Sequence, residues 1–361
     1  MKTTTYKVIG LMSGTSLDGL DIAYCHITKN NNSWNYQIVK TKSVDYTPQF
    51  QARLKTAIQL SATDLLVFHN EYGTWLGKQA AQFIAENNLE VDFIASHGHT
   101  VHHQPENGFT FQIGSGQHLA NASGKKVICD FRSNDVALGG QGAPLVPIGD
   151  RLLFGNYDFC LNLGGIGNIS FEKEGERIAY DIAPINMLLN HLAQKLNKPY
   201  DKNGQLAQKG VPNNDFLEQL NALAYYHQSP PKSLGYEWFE NNILPIAENI
   251  SDAMENLLHT AVQHIAIQIA KSIKNVPTTG KIKTVLVTGG GAKNDFLIHV
   301  LQQQLGSTYK VVVPKKDSID YKEALIFALI GVLRERNEVN CLHSVTGAAK
   351  DSSSGVIYIP C

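Results

Sequence analysis

The sequence predicts a two-domain α/β protein, and three observations carry this. Strand-like and helix-like segments alternate along most of the chain. An apolar strand meeting a small-residue turn and a returning strand occurs at Val8–Tyr24 and again at Asp158–Tyr180, with a strand–glycine–helix variant at Thr284–Gly291. The length, 361 residues, exceeds what one compact core usually holds. Two hairpins of one design in two halves imply related domains facing each other across a cleft, their glycine turns clamping a polyphosphate from both sides.

The first device reads VIGLMSGTSLDGLDIAY. Val8, Ile9 and Leu11 make a buried strand, and Leu20, Ile22 and Ala23 resume it after the turn. Gly14 and Gly19 let the backbone bend and approach an anion. Free N–H groups in such a turn bind oxyanions, and Ser13, Thr15 and Ser16 add donors. Asp18 would repel phosphate unless a metal cation lay between them, which makes it the candidate metal ligand. Taken alone, the stretch also suits an ordinary hairpin tip.

Charge excludes several classes of function. Lys and Arg number 31 against 32 Asp and Glu, for a net charge of −1, so nothing draws the chain to nucleic acid or acidic membrane. The longest apolar run, Ala324–Leu333, is too short to span a bilayer. Met1–Gly14 lacks the apolar core and cleavage signal of a secretory peptide, so a cytoplasmic location is expected. Five scattered cysteines without a CxxC motif suit small buried hydrophobes in a reducing compartment.

In order, the spacing predicts a third strand at Tyr36–Thr41 after an Asn30–Asn32 turn, helices near 49–60 and 63–88, and a buried strand Val91–Ser96. His97, His99, His102 and His103 follow it. Their spacing matches no standard zinc motif, so a substrate-facing loop at a strand end is the better reading. Strands are expected at Phe109–Ile113 and Lys126–Asp130. Arg132 and Asp135 then precede the uncharged Gly139–Leu145 loop. A surface ion pair is the plain alternative, but a guanidinium there suits a substrate carboxylate. We place the crossing between domains in this region.

The second device is DFCLNLGGIGNIS, with a third strand ending at Tyr180 and Asp181 next to it. Pro184 is expected to open a helix through Leu188, Leu192 and Leu196. Asp181 fits either helix-end charge compensation or a general base. PPKSLGYEWF at Pro230–Phe239 suits core or lid. Ser251 is expected to cap a long helix striped by Met254, Leu257, Leu258, Ala261, Ile265 and Ile269. The third device is TVLVTGGG, opening into a helix after Asn294. Neither GxGxxG nor GxxxxGK[ST] occurs, which disfavours a dinucleotide oxidoreductase. Lys310–Pro314 reads as a strand, Asp320–Leu333 as a helix with Glu323 near its start, and Gly355–Pro360 as a returning strand.

These motifs in this order resemble the sugar kinase, Hsp70 and actin superfamily, and more narrowly the anhydro-N-acetylmuramic acid kinases. The carrying stretches are GLMSGTSLDGLDIA at Gly10–Ala23, SHGHTVHHQP at Ser96–Pro105, DFR and GGQGAPLVP at Asp130–Pro147, and NLGGIGNIS at Asn162–Ser170. YDIAPIN at Tyr180–Asn186, PPKSLGYEWF, VTGGGAKN at Val287–Asn294 and EALIFALIG at Glu323–Gly331 complete them.

The resemblance implies a ribonuclease H-like fold in two α/β domains, 1–130 with about 345–361 and 131–344, and an active-site cleft between them. It implies an ATP- and magnesium-dependent kinase of cell-wall recycling that phosphorylates O6 of 1,6-anhydro-N-acetylmuramic acid as water opens the ring at C1. Asp181 would activate the water. Met12, Ser13, Gly14, Thr15, Ser16, Leu17, Asp18 and Gly19 would hold ATP phosphates with Gly164 and Gly165. Gly289, Gly290, Gly291 and Asn294 would line the adenosine side. His97, Thr100, Arg132 and Glu323 would face the sugar. A homodimer is implied.

Two departures bear on substrate. The family's DTGPGN is DIAPIN here, and its HGQT is HGHT, with His99 in place of Gln. A kinase of a related sugar and a non-catalytic nucleotide-gated binding module are the alternatives on this fold.

Overall fold

The computed structural model describes residues 3–14, 17, 19–277 and 282–361. The chain forms two compact units, one built from residues up to Phe154 together with Tyr321–Cys361, the other from Gly155–Asp320.

The first unit opens with β1 (Thr3–Met12), β2 (Gly19–Asn30) and β3 (Ser33–Asp45), a meander in which β1 and β2 run antiparallel with Val8 opposite Cys25 and Met12 opposite Asp21. Then come α1 (Pro48–Lys55), α2 (Ala62–Glu86), β4 (Phe93–Ser96), the hairpin β5 (His99–Gln104) and β6 (Phe109–Ile113), α3 (Gly116–Ser123), β7 (Val127–Cys129), α4 (Ser133–Ala137) and α5 (Pro147–Leu153). Thr47 caps α1, its hydroxyl accepting the Phe50 N–H at 3.2 Å, and this helix stops short of the expected residue 60.

The second unit runs β8 (Phe159–Leu163), β9 (Ile166–Lys173), β10 (Glu176–Pro184), α6 (Asn186–Gln194), α7 (Asn214–Asn221), α8 (Tyr236–Asn242), α9 (Leu244–Asn249), α10 (Met254–Lys274), β11 (Lys283–Thr288), α11 (Asp295–Leu305), β12 (Tyr309–Val312) and α12 (Lys316–Asp320). The chain then rejoins the first unit with α13 (Lys322–Glu335), α14 (His343–Thr346) and β13 (Val356–Tyr358).

Among the described residues the sheet orders are β13-β7-β4-β1-β2-β3 and β10-β9-β8-β11-β12. Setting aside β13 and the separate β5–β6 hairpin, each unit has the order third-second-first-fourth-fifth. In each, the second strand is antiparallel to the first and the fourth is parallel to it. This is the ribonuclease H-like order, present twice, as the repeated sequence devices imply.

One apolar cluster fills the first unit through Ile9, Leu11, Ile22, Phe68 and Ile94, and another the second through Leu161, Ile169, Leu188, Ile265 and Val287. Cys25, Cys129, Cys160 and Cys341 are buried thiols and Cys361 is exposed. No helix among the described residues is long and apolar enough to cross a membrane.

The structure corrects several expectations. The Arg132–Leu145 segment lies inside the first unit, so the boundary falls after Phe154. The tail joins the first unit from Tyr321, because α13 lies directly on the sheet. A Cβ on Gly10 would stand 1.9 Å from the Ala324 carbonyl oxygen, and one on Gly331 would stand 2.6 Å from Ala95 Cβ. Pro184 ends β10 rather than opening α6. It pairs with Ile166 on the sheet's edge strand, where a missing N–H costs no ladder bond. Ser251 does not cap α10, which begins at Met254 with Ala253 at its N-cap.

Candidate active site

The chain turns sharply where β1 ends. Leu17 lies in the left-handed region at φ 59° and donates its N–H to the Gly14 carbonyl at 3.3 Å. The Gln51 side-chain amide donates to the Leu17 carbonyl at 2.8 Å. Ser13 is buried, and its hydroxyl is engaged within the first unit. It accepts from the Tyr46 hydroxyl at 2.7 Å and meets His99 Nδ1 at 3.0 Å, while the Tyr46 and Tyr72 hydroxyls share a hydrogen bond of 2.7 Å. Burial lowers the His99 pKa to about 4, so its ring is neutral near pH 7. Thr15, Ser16 and Asp18 lie outside the described residues.

Arg132 follows β7 on a bend in which Asp130 takes φ 58°. Its Nε and Nη2 both donate to His97 Nε2, at 3.0 and 2.9 Å, and Nη1 donates to the Gly142 carbonyl at 2.6 Å. His97 therefore carries its proton on Nδ1, which donates to the Gly98 carbonyl at 3.0 Å. Burial first, and Arg132 second, push the His97 pKa well below its usual value. Burial lowers Arg132 to about 10, with Glu323 acting in the opposite direction from the first turn of α13.

Asp135 does not serve as a surface partner. It is buried and accepts from the Gly142 N–H at 2.8 Å, the Thr346 hydroxyl at 2.8 Å and the Cys341 thiol at 3.0 Å. This pins the glycine loop to the tail. A cavity of about 200 Å³ opens beside the pair, with His97, Thr110, Gln112, Asp130 and Ser133 in its wall. Thr100 sits on the neighbouring hairpin, its hydroxyl accepting from Gln112 at 3.3 Å. The four clustered histidines diverge: His103 meets Thr110 at 3.1 Å and His102 packs near Phe109. No group of three or more His, Cys, Asp or Glu is placed to hold a metal among the described residues.

In the second unit Asp181 sits on β10 at a bulge, the register shifting between Asp181 and Ala183. A bulge re-aims side chains. The Asp181 carboxylate accepts the Leu234 N–H through Oδ2 at 2.9 Å. Burial raises its pKa, and that hydrogen bond partly offsets the rise.

Asn186, at the start of α6, was not among the expected site residues. Its amide donates to the Leu163 and Gly164 carbonyls at 3.0 and 2.8 Å, locking the β8–β9 turn to the helix. Its place in the YDIAPIN motif was the available signal.

The glycines divide by the room around them. Gly289 needs its φ of 80°, and a Cβ there would lie 2.5 Å from Asn162 Oδ1; one on Gly291 would lie 2.7 Å from Leu163 Cβ. These two are explained by packing. A Cβ on Gly165 would come no nearer than 3.4 Å to any atom, and one on Gly290 no nearer than 3.5 Å. Packing does not demand glycine at either position, whereas close approach by a ligand would. Asn294 caps α11, its side-chain oxygen accepting the Leu297 N–H at 3.0 Å, so that atom is committed within the fold.

Two units of ribonuclease H-like order, with small-residue turns joining the first strand to the second in both, place the chain in the sugar kinase, Hsp70 and actin fold class. Residues 6–360 match the family model described as anhydro-N-acetylmuramic acid kinase, and the chain belongs to that family. The chain is 33% identical over 362 residues to the anhydro-N-acetylmuramic acid kinase of Francisella tularensis subsp. novicida, covering 94% of this chain and 95% of that one. It is 34% identical over 380 residues to the enzyme of the same name from Sulfurimonas denitrificans, covering 97% and 98%. The Vibrio cholerae enzyme of that name is 34% identical over 372 residues, with 98% of each chain covered.

Proposed function

We propose that this chain transfers the γ-phosphoryl group of ATP to O6 of 1,6-anhydro-N-acetylmuramic acid while water adds to C1. The product is N-acetylmuramic acid 6-phosphate, and the reaction belongs to peptidoglycan recycling in the cytoplasm. The observation that carries the reading is Asp181. It occupies the family motif's acid position, on a bulged edge strand, with one carboxylate oxygen held by a backbone N–H. A base needs its proton-accepting oxygen available and a pKa below the working pH. In this reading Asp181 takes a proton from the water that attacks C1. The electrons of the broken C1–O6 bond pass to O6, which attacks the γ-phosphorus as ADP leaves.

We assign the phosphates to Met12–Gly19 with Gly164 and Gly165, the adenosine side to Gly289–Gly291 and Asn294, and the sugar to His97, Thr100, Arg132 and Glu323. Magnesium neutralises charge on the β- and γ-phosphates when bound. It takes oxygen ligands. Asp18 is the proposed carboxylate ligand. The protein acts as a homodimer on small molecules, with no nucleic-acid partner.

The test is incubation of purified protein with ATP, Mg²⁺ and the anhydro sugar, read by product mass. A ring-opened, phosphorylated sugar is expected. Asp181→Asn abolishes it while ATP still binds. Full activity in that variant removes Asp181 from the reaction, and no phosphorylated product from the unaltered protein overturns the substrate assignment.

A further inference from the structure

The Pro230–Phe239 stretch is distinctive in sequence, and neither the fold nor the proposed reaction accounts for it. The structure brings its first part against the acid. The Asp181 N–H donates to the Lys232 carbonyl at 3.2 Å, and Asp181 Oδ2 accepts the Leu234 N–H at 2.9 Å. From the preceding turn, the Tyr225 hydroxyl donates to the Asp181 carbonyl at 2.7 Å. Backbone N–H, backbone carbonyl and carboxylate of one residue are thus all held by residues about fifty positions away in sequence.

The holding segment is itself fixed. Lys232 Nζ donates to the Tyr225 carbonyl at 3.1 Å and lies 4.5 Å from the centre of the Tyr225 ring. Tyr225 is buried and packs on Trp238 of the same stretch, ring centres 5.2 Å apart.

We propose that Tyr225 and the Lys232–Leu234 bend are the positioning element for Asp181, fixing Oδ2 so that Oδ1 alone is presented to accept the water proton. This rests on the reading of Asp181 as the base. Among the described residues Oδ1 receives no hydrogen bond, so it is the oxygen left as an acceptor. The proton leaves the water's O–H bond and forms the Oδ1–H bond, while the remaining hydroxyl bonds C1. A free carboxylate rotates about its Cβ–Cγ bond, whereas one tied at Oδ2, on a bulge tied at both backbone groups, keeps one oxygen aimed. Orientation of this kind is worth large rate factors, since a displacement of about 1 Å can cost about a hundredfold.

The clasp also opposes the effect of burial on the acid's charge state. The ionisable groups against it are the Tyr225 phenol and, through Tyr225, Tyr226, Tyr180 and the Lys232 ammonium. Tyr225 is held neutral, its pKa raised by burial, and the Leu234 N–H favours the carboxylate form. Losing that N–H raises the Asp181 pKa. The base is then protonated at higher pH, and the acid limb of the kcat profile moves up.

Two variants test this in the full-length protein. Leu234→Pro deletes the N–H, and Tyr225→Phe deletes the hydroxyl while keeping the ring. Both are expected to lower kcat by about tenfold or more with KM for ATP within twofold, and Leu234→Pro to shift the acid limb upward. Thermal midpoints report whether Leu234→Pro folds, and Tyr225→Phe carries the test if it does not. Wild-type kcat in Tyr225→Phe, or an unmoved acid limb in a folded Leu234→Pro, overturns the proposal. If Asp181→Asn is inactive while both variants match wild type, only the positioning role is lost. If Asp181→Asn is fully active, the base reading fails as well.

Discussion

The Arg132 guanidinium gives two of its donors to a single atom, His97 Nε2, at 3.0 and 2.9 Å. The imidazole is thereby an acceptor at Nε2, held neutral by burial first and by the cation it orients second. Lysine supplies a point charge without the planar fork, so it does not reproduce the two donors to this nitrogen and the third to the Gly142 carbonyl. Arg132→Lys is expected to raise KM for the sugar about tenfold, the cost of one charge-assisted hydrogen bond, with KM for ATP within twofold. Steady-state kinetics varying each substrate separately decides it. Equal rises in both KM values would remove Arg132 from the sugar side.

Stability should fall on mild acidification. His97, His99 and His264 are buried, and burial drives all three pKa values down, to about 4 for His99 and about 3 for His264. Unfolded histidines take up protons near pH 6.5. The stabilisation from these groups is therefore present above that pH and lost as pH falls below it, by up to about 1.4 kcal/mol per pH unit for each histidine. Denaturant midpoints between pH 7.5 and 5.5 should decline, and less steeply in His99→Gln. A flat profile across that window contradicts neutral, buried rings.

Gly10→Ala should destabilise the first unit severely. Its Cβ would meet the Ala324 carbonyl oxygen at 1.9 Å, a backbone atom that cannot rotate away. Overpacking of this kind costs about 3 kcal/mol or more. Urea unfolding measures it, and a loss under about 1 kcal/mol would mean that α13 is not seated as described.

Gly165→Ala and Gly289→Ala should fail in different ways. Gly165 has room for a methyl group and Gly289 has neither room nor an allowed φ. The first variant is expected to keep its melting temperature within a few degrees and raise KM for ATP several-fold. The second loses stability. If Gly165→Ala binds ATP normally, the β8–β9 turn does not meet the phosphates.

Much of the fold was legible because its signals are local. Apolar strands, small-residue turns and helical stripes repeat in the same order in both halves, and that repetition is the duplicated sheet. What escaped depended on contacts distant in sequence. Nothing near Glu323 announces that Ala324 rests on Gly10, so the sequence signals place residues 321–344 with the second unit, while 345–361 fall correctly with the first. Pro184 carries the same local signal at a helix start and at the end of an edge strand, and its pairing with Ile166 across the ladder decides between them. At the site, Arg132 and His97 were singled out separately, but their pairing was not legible. Ser13 was read as a phosphate donor from its type, while its hydroxyl is engaged by Tyr46 and His99. The clasp on Asp181 joins two motifs whose relationship no spacing encodes.

The first unit's division into two chain segments bears on synthesis. Residues 155–320 leave the ribosome as one uninterrupted stretch and hold every strand of their own sheet. One face of the earlier-made sheet stays uncovered until α13 emerges to lie on Gly10 and Ala95, and its edge strand β13 is made later still. The nascent chain therefore carries a bare apolar face through most of translation, and the half made first is the half finished last. A chaperone that shields such surface has its longest opportunity there.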